Sequence, residues 1–368
     1  MSKILLTACK DYNFYNFRSE LILELLKTNE VVLVCPKGDK LDFFKEKGCR
    51  IIDIQVDRRG KNPFHDFFLF KQYKKILIAE KPNLVLTYTT KSSIYCGLAC
   101  SRLNIPYIVN NAGLTEISGL LKIIVNVLYK ISFKNAKCLM FQNDQERDYM
   151  LHLLKNNVRF RRIPGSGVNL EKFKFKPYPN TKNMIIFNYV GRIVKTKGIK
   201  EYLECAETIH KKYPNTLFRI FGEFDDDCFS KKIYELQKEN VVTLMGQQLD
   251  MEPFIAEAHA CIHPSHYEGM TNVVLEHSAV GRPSIGSNIH GIKEEIDDGL
   301  TGFVFKTKNV DSLINVVEHF INLPLEEKAL MGLRSRSKIE KEFDRKIVTS
   351  IYLEEISQVL EKKNERRD

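Results

Sequence analysis

Glu268 and Glu276 are the residues whose type and spacing point most directly to chemistry. They stand eight positions apart (276 − 268) within residues 263–276, separated by a glycine, uncharged polar residues and an apolar stretch. That stretch predicts the start of a helix, whose first N–H groups and positive dipole end can bind a diphosphate facing Met270 to Val273. A carboxylate before the helix and another inside it can each accept hydrogen bonds from hydroxyls. The spacing therefore indicates a sugar-nucleotide site.

The alternative interpretation of this run is a capped surface helix with two solvated carboxylates. Glu276 argues against it, because Val274, Leu275 and other apolar residues surround it in the sequence. A carboxylate in such a setting is expected to be partly buried and to need polar partners. Hydroxyl groups of a ribose or a hexose would be suitable partners.

A second candidate lies in residues 189–198, where a predicted strand ends at a glycine and a basic loop leads into a predicted helix. Gly191 permits a tight turn, Arg192 can hold phosphate oxygens in a bidentate fork, and Lys197 adds a point charge. Neither the GxGxxG pattern nor the Walker A pattern is present. A strand–helix turn with solvated basic residues explains the loop equally well, and the sequence leaves both interpretations open.

Strands and helices alternate along both halves of the chain, which predicts two parallel sheets with right-handed crossovers. In the first half the predicted strands are 3–8, 30–35, 51–56, 84–88 and 107–110, and the predicted helices are 18–27, 63–80 and 92–103. In the second half the predicted strands are 183–190, 216–221, 241–244, 260–263, 283–286 and 302–305, and the predicted helices are 198–213, 229–238 and 271–280.

The domain prediction follows from this α/β alternation. Two Rossmann-like, doubly wound domains span residues 1–173 and 183–342, and a charged, proline-containing linker at 174–182 joins them. A C-terminal helix and tail at 343–368 can cross back to the N-terminal domain. Two such domains would face each other across a cleft, with ligands at the carboxyl ends of the strands.

Composition narrows the functional classes. The net charge of +10 suits nucleic acid, an anionic membrane or a phosphorylated small molecule, but no nucleic-acid-binding motif is visible. The nine cysteines show no metal-ligand spacing, so we expect buried free thiols and no metal. No apolar stretch reaches the roughly 18 residues that span a bilayer. The first residues predict a buried strand rather than a signal peptide, which leads us to expect a cytoplasmic protein.

Together these segments resemble the retaining glycosyltransferases of family 4, which have the GT-B fold. The two glutamates resemble the E-x7-E motif of that family, and Arg192 and Lys197 match its diphosphate-binding pair. The similarity covers nearly the whole chain. It includes residues 162–169, which resemble the approach to the interdomain linker, and residues 288–294 and 298–303, which resemble the segment that closes on the donor sugar.

The resemblance implies a role for each of these residues. Arg192 and Lys197 would neutralise the leaving diphosphate, Glu268 would contact the transferred sugar, and the second glutamate, Glu276, would hold the ribose. Further donor contacts are implied at Gly191, Gly246, Gly269, Met270, Thr271, Asn272 and Val273. No divalent metal and no cofactor would be needed besides the donor, which the resemblance suggests is a UDP-sugar. The acidic run at residues 225–227 is interpreted as a solvated loop.

Two segments of the N-terminal half depart from the usual family pattern and resemble a subgroup that builds bacterial surface polysaccharides. Many members carry a histidine after the fourth strand, and this chain does not. The candidate contacts with donor or acceptor sugar there are Asn110, Asn111 and Gly113. The usual glycine pair is replaced by an aromatic loop at residues 10–18, in which Tyr15 and Arg18 are candidate acceptor contacts. Ordinary loop and core packing explains that loop equally well.

Residues 119–134 form an apolar segment that carries lysines at positions 122, 130 and 134. A basic amphipathic helix of this kind can lie on an anionic membrane. A helix that packs on the sheet with its lysines at the wet edge explains the pattern as well. In similar enzymes the N-terminal domain binds a lipid-linked acceptor, so we expect peripheral association with the inner face of the cell membrane.

The favoured function is transfer of a hexose or N-acetylhexosamine from a nucleotide sugar to a lipid-linked or growing saccharide, with retention, in bacterial capsule, lipopolysaccharide or glycan synthesis. One alternative is a nucleotide-sugar 2-epimerase of the same fold, which needs acid–base residues and no second sugar. Another is a non-catalytic nucleotide-sugar-binding protein, against which the intact charged residues argue. A nucleic-acid-binding role rests on charge alone and ranks last.

Overall fold

The chain folds into two compact units, one built from residues 1–166 and 346–368 and the other from residues 167–345. The computed structural model describes residues 1–57, 60, 62–111, 119–155, 158–180, 184–225 and 227–364.

The first unit is built on a seven-stranded parallel sheet with the order β3-β2-β1-β4-β5-β6-β7. In chain order its strands are β1 (Ser2–Thr7), β2 (Asn29–Cys35), β3 (Arg50–Asp53), β4 (Leu84–Thr87), β5 (Tyr107–Asn111), β6 (Cys138–Phe141) and β7 (Phe160–Arg162). The register places Ile4 of β1 beside Val31 of β2 and Leu84 of β4. The strand order reverses between β1 and β4, which are neighbours.

Helices cover both faces of this sheet. They are α1 (Asp11–Phe17), α2 (Ser19–Leu26), α3 (Leu41–Glu46), α4 (Pro63–Glu80), α5 (Thr90–Leu103), α6 (Gly119–Phe133), α7 (Asp144–Leu153) and the C-terminal helix α15 (Arg345–Asn364). Successive strand residues point to opposite faces, so Leu6 packs in one core and Leu5 in the other. Val348, Tyr352 and Ile356 of α15 are buried in the core that contains Leu6, which confirms that the C-terminal helix returns to the N-terminal domain.

The second unit has a six-stranded parallel sheet with the order β10-β9-β8-β11-β12-β13. Its strands are β8 (Ile185–Val190), β9 (Thr216–Phe221), β10 (Val242–Gly246), β11 (Ala260–His263), β12 (Ser284–Ser287) and β13 (Gly302–Phe305). Its helices are α8 (Ile199–Lys212), α9 (Ser230–Lys238), α10 (Glu252–Glu257), α11 (Asn272–Ala279), α12 (His290–Glu295), α13 (Val310–Asn322) and α14 (Leu325–Glu342). Two parallel sheets flanked by helices confirm the predicted fold class.

Residues 174–180, part of the predicted linker, belong to the second unit and pack against one of its buried arginines. The Arg282 guanidinium donates to the carbonyl oxygens of Lys176 (2.9 Å) and Pro177 (2.9 Å), and to that of Ala256 at the end of α10 (2.7 Å). Its charge lies 5.7 Å from the centre of the Tyr178 ring. Burial lowers the pKa of this guanidinium to about 10, and the neighbouring Tyr178 offsets part of the effect.

One local prediction is wrong. The aromatic segment predicted as a loop contains the short helix α1, which leads into α2 through Arg18. A seven-residue helix is marginal by itself. Phe14 on its inner side is fully buried in the core, and this tertiary packing stabilises the turn. Among the described residues, no helix has the length and apolar character needed to cross a bilayer.

Candidate functional site

The candidate site of the second unit lies at the carboxyl ends of β8 and β11. These strands are neighbours in the sheet, and the chain continues from β8 to β9 on one side and from β11 to β12 on the other. Such a reversal of strand order opens a crevice at which parallel α/β folds bind ligands. Two loops border it, residues 191–198 after β8 and residues 264–271 after β11.

Close backbone contacts hold the two loops together. Gly198 has φ +71°, and a Cβ atom there would stand 2.0 Å from the carbonyl oxygen of Pro264, so only glycine fits. The backbone N–H of His266 donates to the Thr196 carbonyl at 3.0 Å. The His266 ring also hydrogen-bonds the Glu201 carboxylate in the first turn of α8, at 2.8 Å. These contacts therefore hold the two loops side by side.

Lys197 and Glu268, predicted from separate motifs, meet across these loops. Lys197 Nζ lies 2.5 Å from Glu268 Oε1, and His263 Nε2 donates to the same oxygen at 3.1 Å. Burial acts to raise the pKa of Glu268, but the His263 hydrogen bond and the Lys197 charge outweigh it and hold this pKa at about 2. Glu268 is therefore an ionised carboxylate at neutral pH. His263, the last residue of β11, was missed by the sequence analysis.

Arg192, the other predicted phosphate ligand, makes an ion pair of its own. Its Nη1 lies 2.7 Å from Asp225 Oδ2, in the loop after β9 that was interpreted as solvated. The Arg192 side chain exposes 49% of its surface, so it can leave Asp225 for a ligand at little cost in burial. Each of the two predicted cations is thus already paired with a carboxylate.

Glu276 lies on α11, one turn beyond the helix start, and is partly buried as its sequence context predicts. Burial raises the pKa of its carboxyl to about 7, and the charges of Lys172 and Arg345 offset only part of this effect. Within the described part of the chain, no side chain or backbone N–H donates a hydrogen bond to this carboxylate. The group therefore titrates near neutral pH.

The segment that leads into α11 is held by α12. The backbone N–H of Thr271 donates to Glu295 Oε1 at 2.6 Å, so this predicted donor contact is used within the protein. A Cβ atom on Gly291 would stand 2.4 Å from the carbonyl oxygen of Gly269. Glu295 is fully buried, and burial raises the pKa of its carboxyl well above the usual range. The Thr271 side chain makes no capping hydrogen bond to the first turn of α11, so it does not satisfy the N–H groups there.

Replacing Glu295 by alanine should weaken donor binding, whereas Glu295→Gln should not. Alanine leaves the buried Thr271 N–H without its acceptor, at a cost of about 1–3 kcal/mol, and frees the loop that carries Glu268. Glutamine keeps an acceptor oxygen at a position where burial already favours a neutral group. We expect KM for the donor to rise about tenfold in the alanine variant and less than about twofold in the glutamine variant, with thermal unfolding measured in parallel. Equal losses in both variants would contradict this role.

Glycines end three adjacent strands at the same edge of the sheet. Gly191 follows β8, Gly222 follows β9, and Gly246 ends β10. The Gly191 N–H donates to the Phe221 carbonyl at 2.9 Å, and the Gly222 N–H donates to the Gly246 carbonyl at 3.0 Å. Gly222 has φ +149°, and a Cβ there would stand 1.9 Å from the Gly191 carbonyl oxygen. Glycine at position 222 therefore lets the ends of β8 and β9 approach closely beside Arg192. Gly222 was missed because its role depends on the neighbouring strand.

The candidate acceptor residues of the first unit lie in or near a buried cluster. Asn110 at the end of β5 donates to the Tyr352 hydroxyl of α15 at 2.5 Å. The Arg18 guanidinium lies 4.9 Å from the Tyr88 ring centre and 5.5 Å from that of Tyr352. Tyr15 is half-buried against an aromatic pair in α3. Contacts of these residues with an acceptor stay predictions, since Arg18 and Asn110 are buried in this structure.

The two other candidate sugar contacts of the first unit are Asn111 and Gly113. Gly113 lies outside the described residues, and so does the side chain of Asn111, although its backbone ends β5. Among the described residues, no three His, Cys, Asp or Glu side chains form a group that could hold a metal ion.

Family models match both halves of the chain. Residues 170–338 match the model described as "Glycosyl transferases group 1", and residues 3–143 match the model described as "Glycosyl transferase 4-like". The first of these ranges contains every charged residue of the site between β8 and β11.

Two curated proteins and one solved structure are similar over most of their lengths. The N,N'-diacetylbacillosaminyl-diphospho-undecaprenol alpha-1,3-N-acetylgalactosaminyltransferase of Campylobacter jejuni is 25% identical over 95% of this chain and 96% of its own. The UDP-Gal:alpha-D-GlcNAc-diphosphoundecaprenol alpha-1,3-galactosyltransferase of Escherichia coli is 24% identical over 78% and 79%, respectively. The sucrose-phosphate synthase of Thermosynechococcus elongatus aligns with a TM-score of 0.81 and 19% identity over 98% and 99%.

Proposed function

Because the chain belongs to the group 1, family 4-like glycosyltransferases with the GT-B fold, we propose that it moves a hexose or N-acetylhexosamine from a UDP-sugar to a lipid-linked or growing saccharide, with retention. The observation that carries this proposal is the meeting of Lys197, Glu268 and His263 at the strand-order reversal, beside Arg192. This arrangement offers cations for a diphosphate and a permanent carboxylate for a sugar.

The proposed reaction breaks the bond between the anomeric carbon and the β-phosphate oxygen, and the electron pair stays on the phosphate. The acceptor oxygen attacks the carbon from the same face, and its proton passes to the departing phosphate oxygen. Lys197 and Arg192 stabilise the charge that develops on the leaving group, which is typically worth a few kcal/mol for each good donor. Glu268, with a pKa of about 2, stays ionised and faces the positive charge at the anomeric carbon.

Metal independence is part of the proposal. Two protein cations at the crevice can balance the charge of a leaving nucleoside diphosphate, a task that a bound metal ion performs in other phosphate sites. The choice of UDP is supported by the similarity to the E. coli enzyme, whose name specifies UDP-Gal, and the lipid-linked acceptor by both relatives, whose names specify diphospho-undecaprenol saccharides. A role in bacterial capsule, lipopolysaccharide or glycan synthesis follows from such acceptors.

The test is a transfer assay with undecaprenyl-diphosphate saccharides and a panel of UDP-Gal, UDP-GalNAc and UDP-GlcNAc, each with and without EDTA. We expect one UDP-sugar to be consumed only when acceptor is present, at a rate unaffected by EDTA, and proton NMR to show the donor's α configuration in the product. Release of a 2-epimeric sugar without acceptor would identify an epimerase. A thermal shift with UDP-sugars but no turnover with any acceptor would identify a binding protein.

Peripheral membrane association is proposed through α6. Ile123, Ile124, Val127 and Ile131 of this helix are exposed, while Tyr129 and Phe133 on its other side are buried. An exposed apolar stripe on a basic helix is typical of interfacial membrane binding. The acceptors proposed above would keep the protein at the cytoplasmic face of the cell membrane.

A further inference from the structure

Three phenylalanines of α4 are exposed at the beginning of that helix. Phe64 exposes 80% of its surface, Phe67 55% and Phe68 65%. Their spacing of three and four residues places them on one side of the helix. The opposite side is buried in the core through Leu69, Tyr73 and Leu77. Three neighbouring phenylalanines exposed to solvent are unusual on a protein surface and indicate an interaction site.

The outward side of α4 also carries positive charge after the phenylalanines. Lys71, Lys74 and Lys75 follow the phenylalanines and are exposed, and Lys71 Nζ lies 4.7 Å from the centre of the Phe67 ring. A lysine stem beside an aromatic ring can lie along an apolar phase while its ammonium group stays in water.

Neither carboxylate of α4 opposes this charge. Asp66 pairs with Lys91 of α5 at 2.7 Å and accepts a hydrogen bond from Tyr95 at 2.8 Å. Glu80 is buried and pairs with Lys3 and Arg50. The exposed side of the helix therefore combines aromatic rings with three lysines that form no ion pair with any carboxylate among the described residues.

Helix α4 shares its layer with α6. Both helices pack against α5, and buried residues of all three belong to one core on the same face of the first sheet, including Leu77, Cys96 and Tyr129. Their outward sides therefore belong to one layer that faces away from the sheet. The exposed aliphatic residues of α6 also have lysines for neighbours.

We propose that α4 is a second membrane-binding element, whose Phe64, Phe67 and Phe68 insert among the headgroups of an anionic bilayer while its lysines contact anionic lipids. Aromatic rings prefer the membrane interface, and lysines next to it gain from the negative surface potential. An acidic protein partner would match the lysines but would not explain three exposed rings. The inference rests on the proposed action on a lipid-linked acceptor.

The test is sedimentation of the full-length protein with vesicles of phosphatidylcholine containing about one third phosphatidylglycerol, at low salt. Three variants are compared with the unaltered chain. They are F64S/F67S/F68S, K71Q/K74Q/K75Q, and the control L249S/L300S/L333S, which removes three exposed apolar residues of the second unit. Thermal unfolding confirms that each variant is folded.

We expect the phenylalanine variant to partition at least tenfold more weakly, the lysine variant to lose the salt-sensitive part of binding, and the control to bind as the unaltered chain does. Unchanged partitioning of the phenylalanine variant would overturn the proposal. So would conversion of a dimer to a monomer by these substitutions in sedimentation velocity, because α4 would then be a contact between copies.

Failure of this inference and failure of the proposed function are separable. Vesicle binding requires neither donor nor turnover, so a chain that binds vesicles through α4 but transfers no sugar refutes the function alone. A chain that transfers sugar to a lipid-linked acceptor, and does so equally well without the three phenylalanines, refutes the membrane role of α4 alone.

Discussion

Lys197→Ala is expected to lower kcat/KM for sugar transfer by about 100- to 1,000-fold, the usual loss when one preorganised charged donor to a leaving group is removed. The structure gives two reasons for so large an effect. Lys197 is held in place by Glu268 at 2.5 Å, so little reorganisation is needed when the diphosphate arrives. Among the described residues, its removal leaves His263 as the remaining hydrogen-bond partner of the Glu268 carboxylate, which weakens the interactions that keep this group ionised against its burial.

The matched control is Lys195→Ala. Lys195 belongs to the same loop and has the same charge, but it is exposed, and we expect its loss to change kcat/KM by less than about threefold. Arg192→Ala should fall between the two, because Arg192 is half-exposed and already paired with Asp225. Steady-state kinetics at saturating acceptor measure all three variants. Turnover of Lys197→Ala near that of Lys195→Ala would refute the assignment of the leaving-group site.

A double variant separates catalysis from folding. Lys197→Ala should be less stable than the unaltered chain, because it leaves a mostly buried carboxylate without its cation. Adding Glu268→Gln should recover part of that stability, since the amide needs no counter-charge, while transfer stays lost. Thermal unfolding and kinetics are measured for the two single variants, the double variant and the unaltered chain, which together make a double-mutant cycle. Recovery of activity together with stability would mean that Lys197 acts only through folding.

Sequence patterns predicted the parallel sheets and the charged residues between β8 and β11 because both are encoded by residues that lie close together in the sequence. Apolar periodicity marks a buried strand wherever it occurs, and the spacing of Glu268 and Glu276 is local. The strands predicted at residues 216–221, 260–263 and 302–305 have the same bounds in the structure. The resemblance then assigned Lys197 and Glu268 to the same donor site, although they stand 71 positions apart in the sequence.

The residues that were missed act through tertiary contacts that no local pattern encodes. His263 reaches Glu268 only because the loop after β11 folds back, and Glu295 reaches Thr271 only because β12 lies beside β11. The phenylalanines of α4 were read as part of an ordinary helical pattern, since a phenylalanine in an α/β protein is usually buried. Their exposure is visible only when the neighbours of the helix are known.

Donor binding is expected to weaken as the pH falls below about 7, because Glu276 must be ionised to accept hydrogen bonds from ribose hydroxyls. Its pKa is raised to about 7 by burial, so below that pH the carboxyl must lose its proton when the donor binds. Glu276→Gln should abolish this pH dependence and weaken binding at pH 8 by about tenfold, since a charge-assisted hydrogen bond becomes a neutral one. Titration with a UDP-sugar at several values between about pH 5.5 and about pH 8.5 measures both effects.

Stability should respond to the same substitution in the opposite direction. Between the ordinary carboxyl pKa of 4.5 and about 7, the folded chain holds the Glu276 proton more tightly than the unfolded chain does. This group's contribution to stability is therefore complete below that window and is lost as the pH rises through it. Glu276→Gln cannot ionise, so we expect it to unfold at a higher temperature than the unaltered chain at pH 8 but not at pH 5.

Greater stability with weaker donor binding is the combination that distinguishes a ligand-binding carboxylate from a structural one. If the Glu276 carboxylate served folding, neutralising it would lower the stability of the protein. Neutralising a solvated carboxylate should change neither stability nor donor binding, which is the result we expect for the exposed control Glu326→Gln. A Glu276→Gln variant that binds UDP-sugars normally at pH 8 would therefore remove this residue from the site. Weaker UDP-sugar binding together with a higher unfolding temperature at pH 8 would show that the charge of Glu276 destabilises the free protein and that donor binding offsets this cost.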